Sequence, residues 1–491
     1  MSQFQETYLD EEKINQIKCD PHRSIEEKEI MIHEVKRNKS SVQGNSSLKT
    51  IFSIANNNFG FSLLVYGINF KDQGLFISIL AVIYAWYMGC HSAQIMVRHF
   101  KVEETDYPDI VGRVIGKKSK IFYQLTALIY LLFLNILYYI YATDMCYSII
   151  NFVLDLNGNS LLAPKSSLTF SEFSYQWIGV IFILLYFAFF QLKSLSFFIK
   201  LSPLGLAAVF VITVYSVVMG GLNMEHASDL IKFDFDLKQI AITIGIYTTG
   251  FYSHAFLFPV LKNNRVFEEN YSNTTIGFNF TCVTYLVAGT FGGIAIAGKE
   301  SPNAASIYDY FASTWITVVL RLMVFVQLST VLPIVMFIMR TQFWDAVAPT
   351  MPITQTKHNY VNLVYALVSL CLQMFNVSPS SMISLAGALG GFFGIYIFAP
   401  IVHFMCIHQQ GCQKVQGSKE EEGDLDEDGY TFKDSLDRDQ RETLMTNNHV
   451  CKSFHEQHSS SAMKYFQYGI HVVFALLGVY ILTFKLIDLF S

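Results

Sequence analysis

Three consecutive asparagines, Asn56, Asn57 and Asn58, followed by Phe59, Gly60 and Ser62, interrupt the apolar run SIANNNFGFSLL at 53–64. Each amide carries two N–H donors and an acceptor oxygen. A second polar insertion lies in ITIGIYTTGFYSHAFLFPVL at 242–261, with Gly245, Thr248, Thr249, Gly250, Phe251, Ser253 and His254. A third, VQLSTVLP at 326–333, supplies the hydroxyls of Ser329 and Thr330. There Pro333 has no N–H, which frees the Ser329 carbonyl four residues back. Such groups recognise small molecules and ions; they do not make or break bonds. No Ser/His/Asp set, carboxylate pair or metal-ligand spacing accompanies them, so an enzyme is excluded at this level.

The elements that must hold these groups are membrane helices. The 491 residues are 52% hydrophobic and only 15% charged, with a mean hydropathy of +0.35, which points to an all-α polytopic membrane protein. The net charge of −5 gives no reason to expect a nucleic-acid partner. Eight scattered cysteines without a CxxC predict neither a disulfide framework nor a zinc site. At roughly 20 apolar residues per crossing, eleven spans are expected, at 48–70, 73–98, 120–150, 175–192, 199–221, 237–261, 272–297, 312–339, 358–377, 380–407 and 464–490. The third is long enough to tilt or to emerge near Asp144. Lys and Arg concentrate in the connections that share a side with the N-terminus, Arg340 among them, so that side is expected to be cytosolic.

The polar first 47 residues read as a cytosolic tail and not a signal peptide. Segment 104–118 reads as a short amphipathic surface helix with Ile110, Val111 and Val114 inward. Segment 408–463 reads as an acidic cytosolic loop. Within it Asp424, Asp426, Asp428 and Gly429 begin like a calcium loop, but Ser435 stands where a bidentate glutamate is needed, and a solvated loop is the better reading. Asparagine sequons fall mostly on the cytosolic side or inside spans and do not fix the topology. Arg321 is expected to snorkel or to pair on the far side, and Asp144 to sit at the far rim.

Asparagine competes with the helix for its own backbone partners, and glycine adds backbone freedom. The stretch from Asn56 to Gly60 is therefore expected to unwind, and the matching insertion at 248–254 comes five spans later. Paired interruptions of this kind mark a transporter built from inverted repeats. The expected architecture is a leucine-transporter-like five-plus-five repeat with an eleventh span: repeat one at 48–221, repeat two at 237–407, and the last span at 464–491. Half-helix ends offer N–H groups to a carboxylate and carbonyls to a cation. An amino acid presents both charges, so it fits such a break. Asn56, Asn57, Asn58, Phe59, Gly60, Ser62, Thr248, Thr249, Gly250, Phe251 and His254 are the candidate substrate-binding residues. Asn56, Ser329 and Thr330 are the candidate sodium ligands. Interhelical hydrogen bonding is the competing use of the same side chains. Gly387, Gly390, Gly391 and Gly394 permit close packing of span ten.

The stretches IFSIANNNFGFSLL (51–64), QLKSLSFFIKLSPLG (191–205), SHAFLFPVLKNN (253–264) and QLSTVLPIVMFIMRTQ (327–342), with Tyr107-Pro108-Asp109, resemble the amino acid/auxin permease superfamily. Within it they are most similar to the sodium-coupled amino acid transporter branch, solute carrier family 38, and its lysosomal subgroup. The resemblance implies an eleven-span fold with a cytosolic N-terminus, in a lysosomal, vacuolar or plasma membrane. It implies no cofactor beyond a coupling sodium or proton. It places Asn56 at the asparagine linked to sodium, Ser329 and Thr330 in the span-eight hydroxyl region, residues 57–62 at the substrate, and His254 at a histidine of the subgroup. Where the branch has tryptophan, asparagine and threonine this chain has Ala55, Asn56 and Asn57. Two methionines are replaced by Asn58 and Phe59, and a threonine by Phe61. Substrate chemistry is therefore expected to differ. The alternative function is an amino-acid sensor that signals to a cytosolic partner through the tail and the 408–463 loop.

Overall fold

The computed structural model describes residues 45–101, 104–158, 162–163, 165, 169–170, 172–191, 195–232, 236–301, 304, 306–348, 354–375, 379–407, 476 and 478–483. Most of the tail, the 408–463 loop with its aspartates, and nearly all of the eleventh span lie outside the described residues. Helix α1 (Ser47–Phe59) and α2 (Ser62–Gln73) form span one, with the break at Gly60 and Phe61. Span two is α3 (Leu75–His99), and α4 (Tyr107–Val114) is the short amphipathic helix. Spans three to five are α5 (Lys117–Leu156), α6 (Tyr175–Phe190) and α7 (Leu195–Leu222). Span six is α8 (Leu237–Phe251) and α9 (His254–Lys262), broken at Tyr252 and Ser253. Spans seven to nine are α10 (Asn270–Ile296), α11 (Trp315–Val347) and α12 (Gln355–Met374). Span ten is α13 (Pro379–Gly391), which runs on through a wider π-helical turn at Phe392–Phe398.

Among the described residues six helices are long and apolar enough to cross a membrane. Their polarity is arranged for hydrocarbon. On α3, Phe76, Leu80, Ile83 and Tyr87 recur every three or four residues and face outward, where lipid leaves no unmet polar group. Asparagine, serine, threonine and tyrosine side chains are gathered inside.

The packing repeats itself. Span one lies against span seven as span six lies against span two. Span five touches spans one, seven and eight; span ten touches spans six, two and three. Exchanging each span with the one five later maps the first set of contacts onto the second. Spans one, two, six and seven thus form a bundle, and spans three and eight form the centre of a scaffold beside it. The glycines of span ten serve this contact. A Cβ at Gly387 would strike the Gly245 carbonyl and the Thr249 hydroxyl, and one at Gly390 would meet Tyr252 and Tyr130 at 2.7 Å.

Three charged residues of the spans have partners that the sequence does not name. Arg340 is buried inside α11, which runs on to Val347, and its guanidinium donates to the Phe190 carbonyl at the end of α6. A cation there satisfies a carbonyl that the helix leaves open, so Arg340 caps the end of α6. Arg321 Nη2 donates to the Tyr308 carbonyl at 3.1 Å, in the connection after span seven, so of the two expectations it is the pairing that holds. Asp144 is buried within α5, which continues to Leu156, and pairs with Lys165.

On α4, Ile110, Val111 and Val114 are buried as expected, Tyr107 and Pro108 are buried with them, and Tyr107 Oη donates to the Gly394 carbonyl at 2.8 Å. Asp106 precedes this helix. Burial first, and then the charges of Asp109 and Asp345, outweigh Lys120 and push its carboxyl up to about 7. The folded chain therefore holds this proton more tightly than the unfolded chain. Stability from this group is fullest in acid, declines as pH rises from about 4 to about 7, and is level above that. Asp106→Asn removes the dependence. The variant's melting temperature should exceed that of the wild type by a margin that grows between about pH 4 and about pH 7 and is steady above; a constant difference across that range would refute the assignment.

Candidate functional site

Gly60 has φ +40° and ψ −137°, a conformation open in practice to glycine alone. Helix α1 ends there because no residue with a Cβ continues it: a Cβ at Gly60 would run into the Tyr138 hydroxyl. The three asparagines do not unwind. They remain in the last turns of α1, one step before the break. Consecutive helical residues point about 100° apart, and the three side chains go three ways. Asn56 Nδ2 donates to Thr330 Oγ1 of α11 at 3.4 Å. Asn58 Nδ2 donates to Thr281 Oγ1 of α10 at 3.4 Å. Asn57 lines a cavity, and both its polar atoms lack a partner.

That cavity is narrow, about 10 Å³, room for one water-sized molecule. Asn57, Asn58, Gly60, Phe61 and Ser62 of span one form one wall, and Thr249, Gly250 and Phe256 of span six form the second. Tyr130, Leu134 and Tyr138 of α5 close the third. The last three are residues that sequence reasoning missed. Their i, i+4, i+8 spacing puts them on one helix face, which was the available signal.

Tyrosines hold the helix ends around the cavity. Tyr285 Oη donates to the carbonyls of Asn58 at 2.5 Å and Phe59 at 3.3 Å. Tyr66 Oη donates to the Tyr247 carbonyl at 3.3 Å, and Tyr130 Oη to the Tyr252 carbonyl at 2.9 Å. Phe61 stacks on Tyr141 at 5.8 Å and meets Tyr138 edge-on at 5.3 Å. Both breaks are therefore joined to the same scaffold helix: Phe61 on the Asp144 side of the cavity, Tyr252 on the α4 side.

Of the expected substrate residues, Asn56, Phe59, Thr248, Phe251 and His254 are not among the cavity walls. Phe59 packs edge-on with Phe280 and Tyr285. Thr248 and Phe251 face span ten and span seven, as the Gly391 contact and the Phe278 ring show. His254 Nε2 meets Ser92 Oγ at 2.8 Å, and its ring lies between Tyr252 and Tyr107. The candidate ion ligands also divide. Asn56 and Thr330 come together, whereas Ser329 Oγ lies 3.0 Å from Tyr186 Oη on α6. The helical step of 100° that aims Thr330 at Asn56 turns its neighbour Ser329 toward span four.

Residues 43–416 match the family described as transmembrane amino acid transporter protein. The chain belongs to this family. The transporter is similar to neutral amino acid transporter 9 of Danio rerio, at 23% identity over 75% of this chain and 76% of the relative. The same protein of Xenopus tropicalis is 21% identical over 76% of each. A Caenorhabditis elegans relative, named a sodium-coupled neutral amino acid transporter 9 homolog, is 24% identical over 45% of this chain and 37% of its own. The fold is that of MhsT, solved in complex with L-phenylalanine, with a TM-score of 0.55 at 10% identity, covering 90% of this chain and 99% of MhsT. The transporter is thus a multi-pass membrane protein of the leucine-transporter-like architecture and is not an enzyme.

Proposed function

We propose that this transporter is a secondary active carrier that moves an amino acid by alternating access around the breaks of spans one and six, coupled to sodium or protons. The observation that carries the reading is the meeting of both breaks at one cavity. The first turn of α2 has N–H groups for a carboxylate, and the last carbonyls of α8 suit an ammonium. Rocking of the bundle would part Tyr252 from Tyr130 on one side, or Phe61 from Tyr138 and Tyr141 on the other.

For the coupling ion, the fit is local. Asn56 Oδ1 is buried without a partner, and Thr330 Oγ1 lies beside the same amide. Gly205 of α7 faces both, and a Cβ there would fill the space, approaching Thr330 Oγ1 to 2.6 Å. Neutral oxygens from side chains and main chain suit a hard monovalent cation. The name of the C. elegans relative agrees with sodium. The Lys and Arg bias supports a cytosolic N-terminus.

Purified protein in liposomes, offered labelled amino acids under separate sodium and pH gradients, tests this reading. The wild type should take up at least one amino acid in response to one gradient, and no gradient-driven uptake sinks the proposal. Asn56→Ala should lower uptake about tenfold and flatten its dependence on the coupling ion. Unchanged ion dependence in that variant removes Asn56 from the ion site.

A further inference from the structure

We propose that Asn264 is a positioning residue that joins α1 to α9, so that the halves of spans one and six on the α4 side leave the scaffold together and the ion contact opens in the same step as the substrate contact. This rests on the transport reading above. The stretch SHAFLFPVLKNN ends on Asn264, just beyond α9. Asn264 is 5% exposed, and its amide meets three elements. Its Oδ1 accepts from Thr50 Oγ1 of α1 at 3.3 Å. Its Nδ2 donates to the Val266 carbonyl at 2.6 Å and to Asn270 Oδ1, at the start of α10, at 2.8 Å. Asn270 Nδ2 in turn donates to the Leu261 carbonyl in the last turn of α9 at 3.3 Å. The main chain makes the same connection. Asn45 N donates to the Asn263 carbonyl at 2.7 Å and Arg265 N to the Asn45 carbonyl at 2.8 Å, one step of parallel pairing. Ser47 Oγ of α1 donates to Glu269 beside it. Thr50 and Asn270 are buried as well. Such a network is stiff, because each bond lost inside it leaves a buried polar group unpaired.

Toward the scaffold the same halves are held by bonds to single atoms. Asn56 of α1 meets Thr330 of span eight at 3.4 Å. Gln342 Nε2, further along span eight, donates to the Ala255 carbonyl of α9 at 3.3 Å. That carbonyl is free because Pro259, four residues on, has no N–H. Tyr130 of span three donates to the Tyr252 carbonyl at 2.9 Å. The first contact belongs to the proposed ion site, and the other two close the cavity on the α4 side. With α1 and α9 joined, neither set parts alone. Without the joint, α9 could tilt and free the substrate while Asn56 kept its ion, and the gradient would no longer drive each turnover.

Two measurements in liposomes test this. Spin labels on Leu48→Cys and Arg265→Cys read the joint, and labels on Leu48→Cys and Lys118→Cys read its distance to the start of α5; all three positions are exposed. Electron–electron distances are compared with and without sodium chloride and a mixture of the common amino acids, in labelled chains that still take up amino acids. The Leu48–Lys118 distance should change while the Leu48–Arg265 distance stays fixed. A changing Leu48–Arg265 distance, or a fixed Leu48–Lys118 distance, overturns the proposal, and neither result needs an Asn264 variant to fold. In the second measurement Asn264→Ala should lower gradient-driven uptake about tenfold, while exchange of internal for external amino acid without a gradient stays within about twofold. Equal loss of uptake and exchange would reveal a merely structural role and overturn the proposal, as would unchanged uptake. A wild type with no gradient-driven uptake defeats the transport reading instead, so the two failures are distinct.

Discussion

Gly60→Ala should reduce transport by at least tenfold while leaving the protein folded. Two effects act at that position. The backbone angles, φ +40° and ψ −137°, strain any residue with a Cβ, at about 1–3 kcal/mol. The added methyl also meets Tyr138, whose ring Cζ would stand 3.1 Å away. Span one can relieve both only by moving the break, and the break supplies the main-chain groups that the substrate needs. About 1.4 kcal/mol is already tenfold in a population. The double variant Gly60→Ala/Tyr138→Phe separates the causes. Loss of the hydroxyl relieves the clash but not the backbone, so uptake should recover only in part. Full recovery would show that the clash alone matters. Wild-type uptake by Gly60→Ala itself would mean that the break is not needed in this form.

Much of this was legible. Hydropathy located the first ten spans, and their ends agree with the helices within a few residues except where α5 and α11 run on. The paired insertions at 53–64 and 242–261 located both breaks, because glycine and short polar side chains are rare in lipid-facing helix. The individual duties of Asn56, Asn57 and Asn58 were not legible. A run of identical amides has no internal mark; its meaning comes from which neighbour lies in each direction, and those neighbours are Thr330, the cavity and Thr281. His254 shows the same limit. It follows the break directly, but its ring turns to Ser92 and Tyr107 on elements far away in sequence. Arg340 looked like a boundary charge because a carbonyl cap from another span, Phe190, cannot be seen from the local pattern.

Lys165→Ala should be the most destabilising single change on the face opposite α4. Lys165 is the partner of Asp144, whose side chain is only 5% exposed on α5, and it also lies over the Tyr147 ring at 5.4 Å. Removing it leaves a buried carboxylate facing Asp309, with Arg321 the remaining nearby cation. Breaking a buried pair from one side costs about 3–5 kcal/mol, and the 30% exposure of Lys165 argues for the lower end. A drop of several degrees in melting temperature should follow. Asp144→Asn removes the charge that needs a partner and should cost less. The pair Asp144→Asn/Lys165→Ala should be more stable than Lys165→Ala alone, because the penalty belongs to the stranded charge and not to the missing contact. The effect reaches function through α5: Asp144 lies one helical turn beyond Tyr141, which stacks on Phe61 at the cavity's edge. A loosened Asp144 should therefore weaken closure on that side, read as faster labelling of a cysteine placed at Phe61 in Lys165→Ala than in the parent. Equal labelling would confine the pair to stability.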